Sequence, residues 1–397
     1  MKAFWTVLLT IVLSACATAP LQPGTEALFN DRLFAAPSSG VTARDVFAMS
    51  EEMRHYVDDQ FGGRLLSQDM RNTANRQQAL FDALYSKKQL KLEYDSTMTR
   101  NASQAFAARS GNCLSLVILT AALANQLGLT VQFQSVFSDR TMSRSNGIIY
   151  YSSHVNLMIG SKEAEGRIVY EASQPLIIDF LPPEERGNQR ARVIREDTIV
   201  AMYLNNRAAE SLGVGHLDDG YWWARKAIEK DPTFLASYNT LGVIYRRHGN
   251  LKEAERIFNY VIALEPGNSA PISNLVLLLD DLGRKAESSV WSERLQKMQA
   301  YPPFYYFDLG LQAMKNKDFA TARDMFAKEV SRAAYYHEFH AWLAAAYLQL
   351  GDAEQARKHL AIAMKNSTTR ADYELYATKL AQIKGPQGPG KGATSEH

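Results

Sequence analysis

From about residue 201 onward the chain repeats itself every 34 residues, and a period of that length leaves few architectures open. Pro232 and Pro266 stand 34 residues apart, Gly242 and Gly310 stand 68 apart, and Tyr245 and Tyr347 stand 102 apart. Small residues hold one further position in the same frame, at Ala254, Ser288, Ala322 and Ala356. Five units starting near residues 201, 235, 269, 303 and 337 follow from this register. A helix pair of this size cannot bury its apolar stripe alone, so neighbouring units must stack into a solenoid. The small residues suit close helix crossings, and the aromatic ones fill the space between units.

The clearest unit reads ASYNTLGVIYRRHGNLKEAERIFNYVIALEP, in which Tyr238, Leu241, Gly242, Tyr245, Ala254, Phe258 and Pro266 resemble the tetratricopeptide pattern. The resemblance implies all-α repeats over 201–383, with a groove that receives a protein or peptide partner. It implies that first-helix residues such as Asn205, Asn239, Arg246 and Phe307 face that groove.

Ahead of the repeats, Cys113 opens an apolar run at helical spacing: Leu114, Val117, Ile118, Ala121, Ala124 and Leu127, with Gly128 as the stop. Asn112 is a good N-cap, which puts the thiol in the first turn, where the helix dipole and free N–H groups favour the thiolate and can receive an oxyanion. Gly111 is expected to let a substrate approach the sulfur. A plain buried thiol is the competing reading. Strands are predicted over Thr130–Phe137, around His154 in SHVNLMIG, and from GRIVYEAS through LIIDF to Asp179. A histidine starting a strand can be an ordinary edge residue. A carboxylate between Ile178 and Phe180 needs a partner or an exposed end. Together the three side chains form a plausible thiol, imidazole and carboxylate set.

Gly-Asn-Cys opening an apolar helix, followed by a strand-borne histidine and then an aspartate, resembles the transglutaminase-like superfamily. The segment RSGNCLSLVILTAALANQLGL is similar to bacterial members found beside tetratricopeptide repeats. That resemblance covers 41–200 and implies an α+β, papain-like domain in which Cys113 is the nucleophile, His154 the general base and Asp179 the third member. The sequence departs from some relatives in having no Trp between Trp5 and Trp222, so an indole donor to the oxyanion is missing and no second donor can be named.

Other chemistries find little support. His337 and His340 lie three apart, whereas the zinc-binding HExxH helix needs four. We read them as surface residues and expect no metal site. GSKEAEG at 160–166 is a charged loop, and no phosphate-binding glycine loop or other cofactor motif occurs. A net charge of +2 gives no reason to expect a nucleic-acid partner.

The first 15 residues combine Lys2, an apolar run from Phe4 to Leu13 and small residues, which reads as a signal peptide too short to span the roughly 20 residues a bilayer requires. Leu13-Ser14-Ala15-Cys16 resembles the bacterial lipobox. That implies lipidation of Cys16, and Ala17 in place of Asp implies the outer membrane. Residues 16–40 are expected to be a flexible linker and 384–397 a disordered tail. With Cys16 acylated, Cys113 is the one thiol left of the chain's two cysteines. These readings combine into an outer-membrane, lipid-anchored, periplasm-facing cysteine enzyme. It would act on peptide or amide bonds while the repeats recruit a protein partner. The alternative is a catalytically inactive binding or scaffold lipoprotein that uses the repeat groove.

Overall fold

The computed structural model describes residues 25–38, 42–62, 72–86, 89–137, 142–145, 148–151, 154–160, 175–180, 190–298, 301 and 303–383. The expected signal peptide, Cys16, the loop at 161–166, the GRIVYEAS strand and the tail lie outside them. No helix among the described residues is long and apolar enough to cross a membrane.

The N-terminal part is α+β. Helices α1 (Glu51–Val57), α2 (Thr73–Tyr85) and α3 (Ala102–Ala108) precede α4 (Cys113–Gln126). Every residue of α4 from Leu114 to Ala124 is buried, so this helix is the axis of the core rather than a surface element. Short parallel strands β1 (Glu93–Tyr94) and β2 (Ser110–Gly111) flank its start. Strands β3 (Val131–Phe137), β4 (Met142–Ser145), β5 (Ile148–Tyr151), β6 (His154–Ile159), β7 (Leu176–Ile178) and β8 (Arg190–Ile194) follow. Four of them form an antiparallel sheet in the order β7-β6-β3-β8, and β4 pairs with β5.

The register shows how the sheet meets α4. Leu157 pairs with Ile178, and Phe133 with both Leu157 and Ile194; all four side chains enter the cluster that contains α4. Val155 and Ile159 join them in the same alternating phase, which leaves His154 and Asn156 in the other phase of β6.

Eleven helices follow in the described C-terminal part: α5 (Glu196–Gly213), α6 (Leu217–Lys230), α7 (Leu235–His248), α8 (Leu251–Leu264), α9 (Ser269–Asp281), α10 (Lys285–Met298), α11 (Tyr305–Lys315), α12 (Phe319–Arg332), α13 (His337–Gln349), α14 (Ala353–Lys365) and α15 (Arg370–Gln382). They pair as α5/α6 through α13/α14, with α15 closing the array. The starts of α7, α9 and α13 at 235, 269 and 337 fall on the sequence register. Gly242 and Gly310 hold equivalent places: a Cβ would come within 2.5 Å of the Phe258 ring at one and of the Phe326 ring at the other. The apolar interior of the array is interrupted, since one cluster ends at Trp291 and Leu295 and the next begins at Phe304.

Two sequence expectations change here. The boundary at 200 falls inside a helix: Ile199, Val200, Met202, Tyr203 and Leu204 of α5 belong to the α4 cluster, while Ala208 and Leu212 belong to the repeat cluster. Residues 25–38 are also no free spacer. They form two 3₁₀ turns, Glu26–Leu28 and Asp31–Leu33, docked on α6 and α7. Phe34 stacks on Tyr221 with ring centroids 4.0 Å apart, the Tyr221 hydroxyl donates to Asp31 at 2.5 Å, and Trp222 Nε1 donates to the Ala35 carbonyl at 2.7 Å. Spacer-like Pro, Ala and Ser content conceals the apolar anchors Leu28 and Phe34, which carry this docking.

Candidate active site

The helix that presents Cys113 starts as its local sequence requires. Asn112 is extended, and its side chain accepts the Ser115 N–H at 2.9 Å and the Ser115 hydroxyl at 2.9 Å. Its carbonyl accepts the Leu116 N–H at 3.0 Å. The N–H groups of Cys113 and Leu114 are left at the helix tip with no acceptor among the described residues. The thiol itself is free and half-buried.

Gly111 also has a structural reason. A Cβ there would lie 2.6 Å from Ser115 Cβ, so the glycine makes room for the serine that the Asn112 cap holds.

His154 opens β6 and Asp179 follows β7, and the β6/β7 pairing brings them together. His154 Nε2 meets Asp179 Oδ1 at 2.8 Å, with the imidazole 1% exposed and the aspartate 7%. Asn156, two residues along the same strand, donates from Nδ2 to Asp179 Oδ2 at 3.1 Å, so both carboxylate oxygens are engaged. Burial alone would push the His154 pKa down. Hydrogen bonds to Asp179 and Cys113, with the negative charge on each, outweigh it and hold the ring at about 9. Nε2 is taken by Asp179. The three side chains proposed from sequence, set 41 and 25 residues apart along the chain, thus converge at one helix tip. Asn156 was missed, although strand alternation from His154 places it on the same face.

The proposed groove residues fare unevenly. Asn239 Oδ1 accepts from Asn274 Nδ2 at 3.0 Å, and Arg246 pairs with Asp281 at 2.6 Å; both remain half-buried on first helices. Asn205 is half-buried, and its Oδ1 is sealed from water without a hydrogen-bond partner among the described residues. Phe307 does not face a groove. It is 1% exposed, with its ring between those of Phe326 and Phe339 at 5.6 and 5.0 Å. His340 is no surface residue either, being 3% exposed and bonded to the Ala334 carbonyl at 2.8 Å and to His359 Nδ1 at 2.9 Å. His337 is half-buried against the Tyr376 hydroxyl at 2.8 Å.

Residues 223–256, from α6 into α8, match the family model for the tetratricopeptide repeat. Joined to helix pairs that recur every 34 residues, this match decides the character of the array. The C-terminal helix pairs are tetratricopeptide repeats. No curated protein matches the chain. Among solved structures, it is similar to PilF of Pseudomonas aeruginosa at 18% identity, over 48% of this chain and 86% of that one, with a TM-score of 0.29. It is also similar to TTC0263, a tetratricopeptide protein of Thermus thermophilus, at 15% identity over 46% and 99%, with a TM-score of 0.29. A third is YrrB, described as a tetratricopeptide protein with an unusual peptide-binding site, at 19% identity over 45% and 92%, with a TM-score of 0.24. Likenesses of this size leave the tetratricopeptide assignment resting on the family match and on the helix pairs themselves.

Proposed function

We propose that this protein is a cysteine acyl-transfer enzyme of transglutaminase-like, papain-like type, anchored to the bacterial outer membrane through Cys16, whose tetratricopeptide repeats recruit a protein substrate. The observation that carries the catalytic part is the buried His154, bonded to Asp179 at 2.8 Å and electrostatically coupled to Cys113. Cys113 as thiolate attacks an amide carbonyl. His154, charged at neutral pH, passes its proton to the departing amine, and Asp179 holds the ring in place. The Cys113 and Leu114 N–H groups, without an acceptor among the described residues, would receive the oxyanion. Water or a second amine then releases the acyl group. No metal or organic cofactor enters this scheme.

A second reading has its own support. The family match falls on the repeats alone, and stacked repeats offer an extended surface to protein partners. In that reading the chain is a scaffold, and the cysteine domain serves only as part of the binding surface.

Two measurements separate these readings. The first is the rate of Cys113 alkylation by iodoacetamide at pH 7. An unassisted thiol is only a few per cent ionised there, so His154→Ala should slow the reaction about tenfold if the pair operates. The second is Cys113-dependent release of ammonia, or incorporation of a primary amine, with periplasmic protein as substrate. A thiol indifferent to His154, together with no turnover, supports the scaffold. Metabolic labelling with a radioactive fatty acid, lost in Cys16→Ser, tests the anchor.

A further inference from the structure

Thr99 lies outside every strand and helix, carries no catalytic chemistry, and is 1% exposed. Its hydroxyl oxygen accepts from Asn112 Nδ2 at 2.9 Å and from Asn206 Nδ2 at 3.2 Å. Its backbone N–H donates to Glu210 Oε1 at 2.6 Å. Asn206 and Glu210 are one turn apart on α5, the first repeat helix, and Asn112 is the cap that immediately precedes Cys113. Next along the chain, Arg100 donates its N–H to the Ser115 hydroxyl at 2.8 Å, and the Asp95 N–H donates to the Gly111 carbonyl at 3.0 Å. The segment 95–100 is therefore laced to three of the residues around the thiol: Gly111, Asn112 and Ser115.

The partners of Glu210 suit a fixed support. Burial raises its pKa, while the Thr99 bonds and the Arg207 guanidinium act against that rise. Arg207 Nη1 reaches Glu210 Oε2 at 2.6 Å, so one carboxylate oxygen is tied within α5 and the other holds the Thr99 backbone. The far end of the array meets the same segment. The Thr368 carbonyl, in the turn between α14 and α15, accepts from the Ser96 N–H at 3.1 Å and from its hydroxyl at 3.3 Å.

We infer that Thr99 is a positioning residue for the Cys113 turn, held in place by Asn206 and Glu210, so that the first repeat helix is part of the apparatus that presents the thiol. This rests on the catalytic reading above. Asn112 can place Cys113 only if both ends of its amide are satisfied: Oδ1 by Ser115, and Nδ2 by the Thr99 hydroxyl, which Asn206 and Glu210 fix. Removal of the Thr99 hydroxyl oxygen frees the amide to rotate, and the helix tip loses its alignment with His154.

The test uses the mature full-length protein and iodoacetamide, with melting temperature recorded for each variant. Thr99→Val keeps the shape and removes the acceptor, and should slow Cys113 alkylation at pH 7 about fivefold, as expected for one lost buried hydrogen bond. Thr99→Ser restores the oxygen and should stay within about twofold of wild type. Glu210→Gln keeps an acceptor for the Thr99 N–H and should behave like Thr99→Ser, whereas Glu210→Ala should behave like Thr99→Val. A role in stability alone would lower the melting temperature of Thr99→Val and Glu210→Ala while leaving the alkylation rate of the folded protein unchanged, and that result overturns the inference. If Thr99→Val does not fold, the two Glu210 variants decide the question in its place. If His154→Ala alkylates at the wild-type rate, the catalytic reading itself fails. If His154→Ala is slow while Thr99→Val and Glu210→Ala are not, only the positioning role is lost.

Discussion

Asp179 and His154 share a 2.8 Å contact between Oδ1 and Nε2 in which both partners are almost fully withdrawn from water. A buried imidazolium is tolerable only while its counter-charge stays beside it. Asn156 keeps that carboxylate aimed by holding its other oxygen.

Asp179→Asn keeps the shape and removes the charge, so the His154 pKa should fall from about 9 toward or below its ordinary value. Titration of the His154 ring proton by NMR checks this directly. Cys113 alkylation at pH 7 should drop about tenfold in the same variant, because a charge-assisted partner is lost.

The same pair makes stability depend on pH with a definite sign. The folded-state pKa of His154 lies above its unfolded value of 6.5, so the folded protein binds the proton more tightly. The stabilisation is fully present below 6.5 and is lost as pH rises through about 9. Urea unfolding of wild type and His154→Gln at pH 6 and at pH 9.5 should show the gap between them narrowing at the higher pH.

Gly242→Ala and Gly310→Ala should each destabilise the array by about 1–3 kcal/mol, the usual cost of overpacking, because the new methyl meets Phe258 or Phe326 at 2.5 Å. Phe258→Leu combined with Gly242→Ala should cost less than the two single changes together, which a double-mutant cycle in urea measures. Gly249→Ala meets nothing within 4 Å and should show only the strain of its φ of +90°, about 1 kcal/mol.

Phe34→Ala removes the ring stacked on Tyr221 and should release residues 25–38 from α6. A buried Phe-to-Ala change costs about 3–5 kcal/mol, more than a short docked segment can spare. Limited proteolysis should then cut between residues 25 and 50 much faster than in wild type, leaving the remainder of the chain intact.

What the sequence disclosed followed the range of the interactions. The repeats were readable because each unit restates the same local demand, and the Gly242 and Phe258 contact recurs as Gly310 and Phe326. The Asn112 cap was readable because its partner Ser115 is three residues away. Thr99 was not, since its partners lie 13, 107 and 111 residues away and its own neighbourhood is a loop. Phe307 was misplaced because an aromatic on a first helix can point inward or toward the groove, and only the neighbouring Phe326 and Phe339 decide which. The docked segment escaped because composition averages over residues, while two anchors are enough to fasten it.

Helix α5 gives one half of its length to each of two interiors, with Leu204 in the first and Ala208 in the second. A truncation at the apparent seam near residue 200 would strip Met202, Tyr203 and Leu204 from the N-terminal interior and leave the solenoid with a frayed first helix. Neither half is therefore a separable module. Heat or denaturant should melt the cysteine-bearing part and the first repeat as one cooperative unit, and any excised fragment that stays folded must carry the whole of α5 with α6 beside it.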